Sequence, residues 1–252
     1  MAHSLRIITR LDIKNPNLIK SVQLEGVKVV GDPIKFAEKY YIDGADEIIY
    51  MDAVASLYNR NSVFEIISKT AENIFIPMTV GGGLKNTEDV RKALKNGADK
   101  VAINTAIVKD PSLIKDVCKV FGAQCMVIQI DAKKKGKSWE VLIDGGREKT
   151  GIDIVDWVKE VNKLGAGEIL ITSVDKEGTR KGMDIELINC VTSKSSVPVI
   201  ASGGIGEESH VLEVVKETNV DAIAIADMFH YNRSSIKELK NYLKKNKIKV
   251  RI

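Results

Sequence analysis

Two aspartates hold matching places in the chain. Asp12 closes the apolar run Ile7-Ile8-Thr9-Arg10-Leu11, Asp131 closes Met126-Val127-Ile128-Gln129-Ile130, and a lysine (Lys14, Lys133) stands two residues after each. Carboxylates set apart in this way suit paired proton transfer, one group donating while the other abstracts. Glycines are paired as well: Gly81-Gly82-Gly83 follows Thr79-Val80, and Gly203-Gly204 follows Ala201-Ser202. Backbone that carries no Cβ lets N–H groups close on an anion. With Asn104-Thr105 ending another apolar run, these loops are candidates for phosphate binding, and two of them imply a long substrate with a phosphate at each end. Four charges open other runs, Arg6, Glu47, Lys100 and Glu168, and two cations with two anions can close into a ring of salt bridges. Cys118, Cys125 and Cys190 show no metal-ligand spacing, and His3, His210 and His230 are scattered. Neither a metal site nor a nucleophile–histidine triad is expected.

The elements that must position these groups are short β-branched runs alternating with longer helix-period segments. Strands are expected over 6–11, 47–51, 76–80, 100–103, 125–130, 168–172, 197–201 and 222–226. Helices are expected over 33–43, 63–73, 87–96, 112–121, 152–164, 184–191, 207–218 and 234–245. Strands apolar almost throughout, each followed by a helix, specify a parallel sheet covered on both faces. Eight such units in 252 residues specify one α/β domain, a closed (β/α)8 TIM barrel. The second half restates the first. Leu11-Asp12-Ile13-Lys14 answers to Ile130-Asp131-Ala132-Lys133, Gly44-Ala45-Asp46-Glu47 to Gly165-Ala166-Gly167-Glu168, and Pro77 to Gly83 answers to Pro198 to Gly204. Gly97-Ala98-Asp99-Lys100 likewise answers to Asn219-Val220-Asp221-Ala222. A nearly constant shift of roughly 120 residues marks two repeated half-barrels, 1–121 and 122–252, with matching features across the mouth. Barrel chemistry sits at the C-terminal strand ends, where both aspartates and both glycine loops fall, whereas the four charges fall at the N-terminal face.

Composition narrows the function classes. Lys plus Arg is 38 and Asp plus Glu is 34, so the net charge of +4 is far from the density of a nucleic-acid-binding chain. No run of roughly 18 apolar residues suggests a membrane span, and the first residues lead straight into a strand without a signal-peptide pattern. A cytoplasmic protein with reduced thiols is expected. The lysines near the C-terminus read as a solvated helix face.

Several of these segments together are specific. Leu11-Asp12-Ile13-Lys14, Thr79-Val80-Gly81-Gly82-Gly83, Gly97-Ala98-Asp99-Lys100-Val101, Ile103-Asn104-Thr105, Ile130-Asp131-Ala132-Lys133, Thr172-Ser173 and Ile200-Ala201-Ser202-Gly203-Gly204 resemble the cyclase subunit of imidazole glycerol phosphate synthase along nearly the whole chain. The resemblance implies a heterodimer with a glutaminase subunit docked on the N-terminal face and no cofactor. Ammonia from the glutaminase would cross the barrel and react with a bis-phosphorylated ribulosyl-formimino-aminoimidazole carboxamide nucleotide, giving imidazole glycerol phosphate and aminoimidazole carboxamide ribotide in histidine biosynthesis. It further implies Asp131 as base and Asp12 as acid, with Arg6, Glu47, Lys100 and Glu168 as the ammonia gate and Asp99 beside the docking face. One phosphate would sit at Gly82, Gly83, Asn104 and Thr105, the other at Thr172, Gly178, Ser202, Gly203, Gly204 and Ala226, with a mobile loop over 15–30. Four places depart from the family pattern. Arg10 precedes Leu11-Asp12 where the family has Cys, the loop from Asn15 to Gly26 lacks the usual Asp-Gly opening and Asn-Phe pair, Glu177-Gly178-Thr179 replaces Asp-Gly-Thr, and Ala226-Asp227 replaces Ala-Ser. A carboxylate at 227 beside a phosphate dianion costs on the order of 1–4 kcal/mol unless countered. Two other enzyme readings share the fold. One is a paralogue that uses the same ammonia delivery to amidinate an acetamido sugar for surface glycans, and the other is the phosphoribosylformimino isomerase, which needs no ammonia gate. A scaffold without catalysis would have no use for both aspartates.

Overall fold

The computed structural model describes residues 4–53 and 63–251. β1 (Arg6–Lys14) runs on into a hairpin of β2 (Asn17–Val22) and β3 (Glu25–Gly31); β4 (Glu47–Asp52), β5 (Met78–Gly81) and β6 (Lys100–Ile103) follow singly. β7 (Met126–Lys135) again runs on into a hairpin, β8 (Ser138–Ile143) and β9 (Glu148–Asp153), before β10 (Glu168–Ser173), β11 (Val199–Ser202) and β12 (Ala222–Ile225). Eight of these strands pair in parallel in the order β10-β11-β12-β1-β4-β5-β6-β7, and the β7–β10 pairing closes the barrel. The described helices are α1 (Pro33–Ile42), α2 (Val63–Ala71), α3 (Thr87–Lys95), α4 (Thr105–Lys109), α5 (Ser112–Phe121), α6 (Ile154–Leu164), α7 (Ile185–Thr192), α8 (Glu208–Glu217), α9 (Asp227–His230) and α10 (Ile236–Lys245). This is the expected (β/α)8 TIM barrel. Among the described residues no helix is long and apolar enough to cross a membrane.

Local signals start the helices where the sequence suggested. Asp32 caps α1 ahead of Pro33, Asn86 caps α3, Asp153 caps α6, and Ser235 with Glu238 forms a capping box on α10. Strand alternation then separates two apolar layers. Ile7, Ile48, Val101 and Ile128 pack outward under the helices, while Ile8, Ile49, Ala102, Val127, Leu170, Ile200, Ala222 and Ala224 fill the barrel interior.

The repeat is visible in the backbone. Each half carries a hairpin after its first strand and a short helix, α4 or α9, after its fourth. Three aspartates at equivalent positions make one and the same bond: Asp46 accepts from the Ile7 N–H at 2.7 Å, Asp99 from Met78 at 2.8 Å and Asp221 from Val199 at 2.9 Å. The fourth place is Gly167, where a Cβ would lie 1.8 Å from the Ala123 carbonyl oxygen, so no side chain fits.

The segment 15–30, expected as a loop, is instead largely the β2–β3 hairpin. Its tip lies against the loop after β10, with the Gln23 N–H donating to the Glu177 carbonyl at 3.0 Å. The sequence hid it because β3 is exposed along most of its length and carries no buried stripe.

Candidate functional site

The interior residues of β1 and β7 build the mouth. On β1 these are Arg10 and Asp12; on β7 they are Gln129 and Asp131, the same two places in the repeat. All four are buried, and all four line a cavity of about 450 Å³ at the C-terminal end of the barrel, within the size range of small-molecule sites. Each aspartate is held by the residue two places before it. Arg10 Nε donates to Asp12 Oδ1 at 2.9 Å, while Gln129 Nε2 lies 3.3 Å from Asp131 Oδ2. Asn104 Nδ2 also donates to Asp131 Oδ2 at 3.1 Å.

These surroundings separate the two carboxylates. Burial pushes the Asp131 carboxyl above the usual carboxylate range, although Arg10, Gln129 and Asn104 pull it back. Asp12 instead forms a direct ion pair with a guanidinium that is itself buried. Arg10 keeps its charge because Asp12 and then Asp131 outweigh the cost of burial and raise it above its ordinary value.

The expected phosphate residues fall into two groups. Gly82, Gly83, Asn104 and Thr105 line the large cavity beside Lys109 and Arg147. Gly82 has φ +96°, and a Cβ there would stand 2.3 Å from the Asp52 carbonyl oxygen, so this turn admits only glycine. Asn104 uses its amide on Asp131 and on the Leu142 carbonyl, leaving Oδ1 buried with no hydrogen-bond partner. The Thr105 hydroxyl accepts the Asp144 N–H at 3.0 Å, which ties the β8–β9 turn to the mouth.

Gly178, Ser202, Gly203, Gly204 and Ala226 line a separate cleft of about 20 Å³. Thr172, fully buried nearby, accepts a hydrogen bond from Arg10 Nη1 at 3.0 Å, and Ser202 accepts from the same nitrogen at 3.3 Å. Lys20 of the hairpin and Glu177 form a buried ion pair on the cleft wall. Asp227 is also there, 3.5 Å from Arg233. Lys14 and Lys133 are exposed and line neither space, although the sequence set each beside an aspartate.

At the opposite end the four charges close into a ring. Arg6 bridges Glu47 at 2.7 Å and Glu168, and Lys100 bridges the same two carboxylates at 3.0 and 2.9 Å. Burial works against ionised Glu47, but Arg6 and Lys100 outweigh it and hold the carboxyl below its ordinary range. Asp99 is exposed on this face with one oxygen fixed by the Met78 N–H. Large apolar side chains are exposed there too. Ile42 ends α1, Phe75 precedes β5 and Val120 lies at the end of α5, at 74%, 78% and 51% exposure.

Arg10, Gln129 and Lys20 are the site residues that the sequence reading did not assign. The repeat could have exposed the first two, since they precede the paired aspartates at equivalent interior positions. No local signal marks Lys20, whose partner lies 157 residues away. Among the described residues no group of His, Cys, Asp or Glu is arranged to hold a metal ion.

Comparison with known proteins agrees with this architecture. The family described as "Histidine biosynthesis protein" matches residues 6–235. The chain is 58% identical over 205 residues to the imidazole glycerol phosphate synthase subunit HisF of Legionella pneumophila, covering 81% of this chain and 97% of that one. It is 47% identical over 249 residues to the subunit of the same name from Lactococcus lactis, covering 98% and 96%, and 46% identical over 249 residues to that of Clostridium botulinum, covering 98% of both. The chain belongs to the histidine biosynthesis protein family, among the HisF cyclase subunits of imidazole glycerol phosphate synthase.

Proposed function

We propose that the chain is the synthase half of an ammonia-channelling pair. A glutaminase docks on the N-terminal face, ammonia enters through the charge ring, and the reaction takes place between Asp12 and Asp131. One observation carries the reading: both aspartates face a single cavity at one end of a barrel whose other end is closed by Arg6, Glu47, Lys100 and Glu168. The interior between them is walled by Ile8, Ile49, Ala102, Val127, Leu170, Ile200 and Ala224. Such a wall favours neutral ammonia over ammonium, because burying an unpaired charge is costly. The Thr79 hydroxyl, buried with no hydrogen-bond partner, offers a passing N–H an acceptor. Ile42, Phe75 and Val120 supply the apolar contacts of a docking face, and Asp99 its polar rim.

Asp131 is the proton-exchanging group in this reading. Its raised carboxyl is a better base than an ordinary aspartate, and the Asn104 and Gln129 amides fix its orientation. Asp12 serves as the acid once the guanidinium has moved off it. In this reading the substrate is the bis-phosphorylated nucleotide, with one phosphate at Gly82, Gly83, Asn104 and Thr105 and the other toward Thr172, Gly178, Ser202, Gly203, Gly204 and Ala226. A second reading, amidination of an acetamido sugar by the same ammonia, is favoured by the small, carboxylate-lined cleft at the second set of residues. Both belong in the cytoplasm.

The deciding assay is turnover of the nucleotide by the purified chain with ammonium salt at elevated pH. A rate of about 1–10³ s⁻¹ supports the histidine-pathway cyclase. Absence of turnover by a folded barrel moves the assignment to the sugar substrate.

A further inference from the structure

The repeat writes two glycine loops across the mouth, but only one of them opens on a cavity that can hold a phosphate. The Gly82 loop opens on the central cavity of about 450 Å³ that also holds both aspartates, whereas the Gly204 loop opens on a separate cleft of about 20 Å³, room for about one water. Arg10 lines both spaces and separates them. Its guanidinium lies across the Gly204 end, bonded to Asp12, Thr172 and Ser202 at 2.9, 3.0 and 3.3 Å, and is 4% exposed.

Charge acts in the same direction as volume. The cations at the closed end are already engaged, Arg10 with Asp12 and Lys20 with Glu177. Glu177 Oε2 is buried with no hydrogen-bond partner, Asp227 Oδ1 is buried with only the Arg233 guanidinium 3.5 Å away, and as carboxylate oxygens both can only accept. A phosphate dianion is acceptor-only as well, so these two atoms repel it. At the open end Arg147 is exposed on the rim, and Lys109, more than half exposed, is held only by Asp144 at 3.2 Å, a pairing at the surface that an anion can compete for.

We propose that Arg10 is a specificity-determining residue that makes the mouth one-ended: the chain seats a substrate through a single phosphate at the Gly82–Gly83 loop and disfavours a second phosphate at the Ser202–Gly204 loop. A substrate with two terminal phosphates must displace the guanidinium from Thr172 and Ser202 and face the carboxylates behind it. This inference rests on the mouth being the reaction site, and it makes the second phosphate of the proposed nucleotide a weak contributor to binding, with the Gly82–Gly83 loop as the anchor. It adds a discrimination between mono- and bis-phosphorylated ligands that the glycine loops alone do not contain.

Two measurements test it without relying on turnover. In the first, the intact chain is titrated calorimetrically with a pentose monophosphate and with a pentose bisphosphate. Affinities within about twofold are expected, and a bisphosphate that binds tenfold tighter overturns the proposal. In the second, inorganic phosphate is titrated and counted by phosphorus NMR. One phosphate per chain is expected for the unmodified protein and for Arg10→Lys, which keeps a cation beside Asp12. Two are expected for the double variant Arg10→Ser with Asp227→Ser, once circular dichroism shows it folded. Two phosphates on the unmodified chain, or one on the folded double variant, overturn the proposal. If neither the nucleotide nor the sugar is turned over with ammonia, the proposed function fails while the phosphate count still decides the role of Arg10.

Discussion

The two ends of the barrel mouth share a backbone and differ in side chains. At both, a strand runs into paired glycines with positive φ, and a short helix follows the next strand. Met51 and Gly81 occupy the places in the first half that Thr172 and Ser202 occupy in the second. Hydroxyls at the second pair give Arg10 acceptors to lie on, and the thioether and bare backbone at the first pair do not. Duplicated geometry therefore does not mean duplicated binding, because the charge placed between the loops decides which one a ligand can reach.

The largest effect should come from the group that acts for both ends. Asp131→Asn is expected to lower ammonia-dependent turnover by about 10²–10⁴-fold. The same variant should be more stable than the unmodified chain at neutral pH. With its carboxyl raised, Asp131 favours the folded state while protonated, and that contribution is lost as pH rises through the folded value. The two melting curves should converge in acid, and a variant no more stable at neutral pH would show that burial does not strain this carboxylate.

Next come substitutions of one glycine in each loop, chosen for similar crowding, which sharpen the contrast between the ends. Gly82→Ala and Gly204→Ala inflict similar backbone damage, with Cβ atoms 2.3 and 2.1 Å from the carbonyl oxygens of Asp52 and Gly182. Both should cost roughly 1–3 kcal/mol in denaturant unfolding. Only Gly82→Ala should raise KM, by about tenfold or more, equivalent to roughly 1.4 kcal/mol. Equal rises in KM would mean that both ends bind substrate.

Lys100→Ala tests the opposite face, leaving Glu47 and Glu168 with Arg6 alone. Glutamine-driven turnover should fall several-fold relative to ammonium-driven turnover, the ratio being the readout. The ring should also respond to acid. Because Glu47 is held low, its contribution is present above the ordinary glutamate value and lost as pH falls through the depressed one.

The smallest effect concerns the wall behind β1. There the His230 ring shares a hydrogen bond of 2.6 Å with the Tyr40 hydroxyl, and burial lowers the imidazole to about 4. A histidine kept neutral stabilises the fold above pH 6.5, and the contribution is lost as pH falls from there toward 4. His230→Gln should flatten the stability profile in that window while leaving KM unchanged.

Much of this was legible in the chain. The eight barrel strands, the paired aspartates and the two glutamates of the ring follow from alternation plus a repeat, because an interior position in one half names its counterpart in the other, whereas Arg6 and Lys100 answer to Cys125 and Ala222 and were legible only as charges opening apolar runs. Lys20 shows where that reading stops. A lysine on an apparent loop reads as solvated, yet it is 5% exposed because Glu177, distant in sequence, folds over it. The same holds for Arg10, whose departure from the family pattern was visible but whose contacts on β10 and β11 were not. Position along a strand is a local property, whereas the partner of a buried charge is set only once the barrel has closed.

The three aspartate clamps have a consequence for how the barrel assembles. Asp46, Asp99 and Asp221 each fasten a strand start to the beginning of the next unit across only 39, 21 and 22 residues. Links that short carry little loop-closure entropy, whereas the β1–β12 seam joins Arg6 to Ala222 and needs nearly the whole chain. Neighbouring units are thus expected to gain hydrogen-exchange protection first and the seam last, an order that pulse labelling during refolding would read. In that sequence of events Lys240, which reaches back to Asp46 at 2.9 Å from the final helix, acts as the latch that completes the circle.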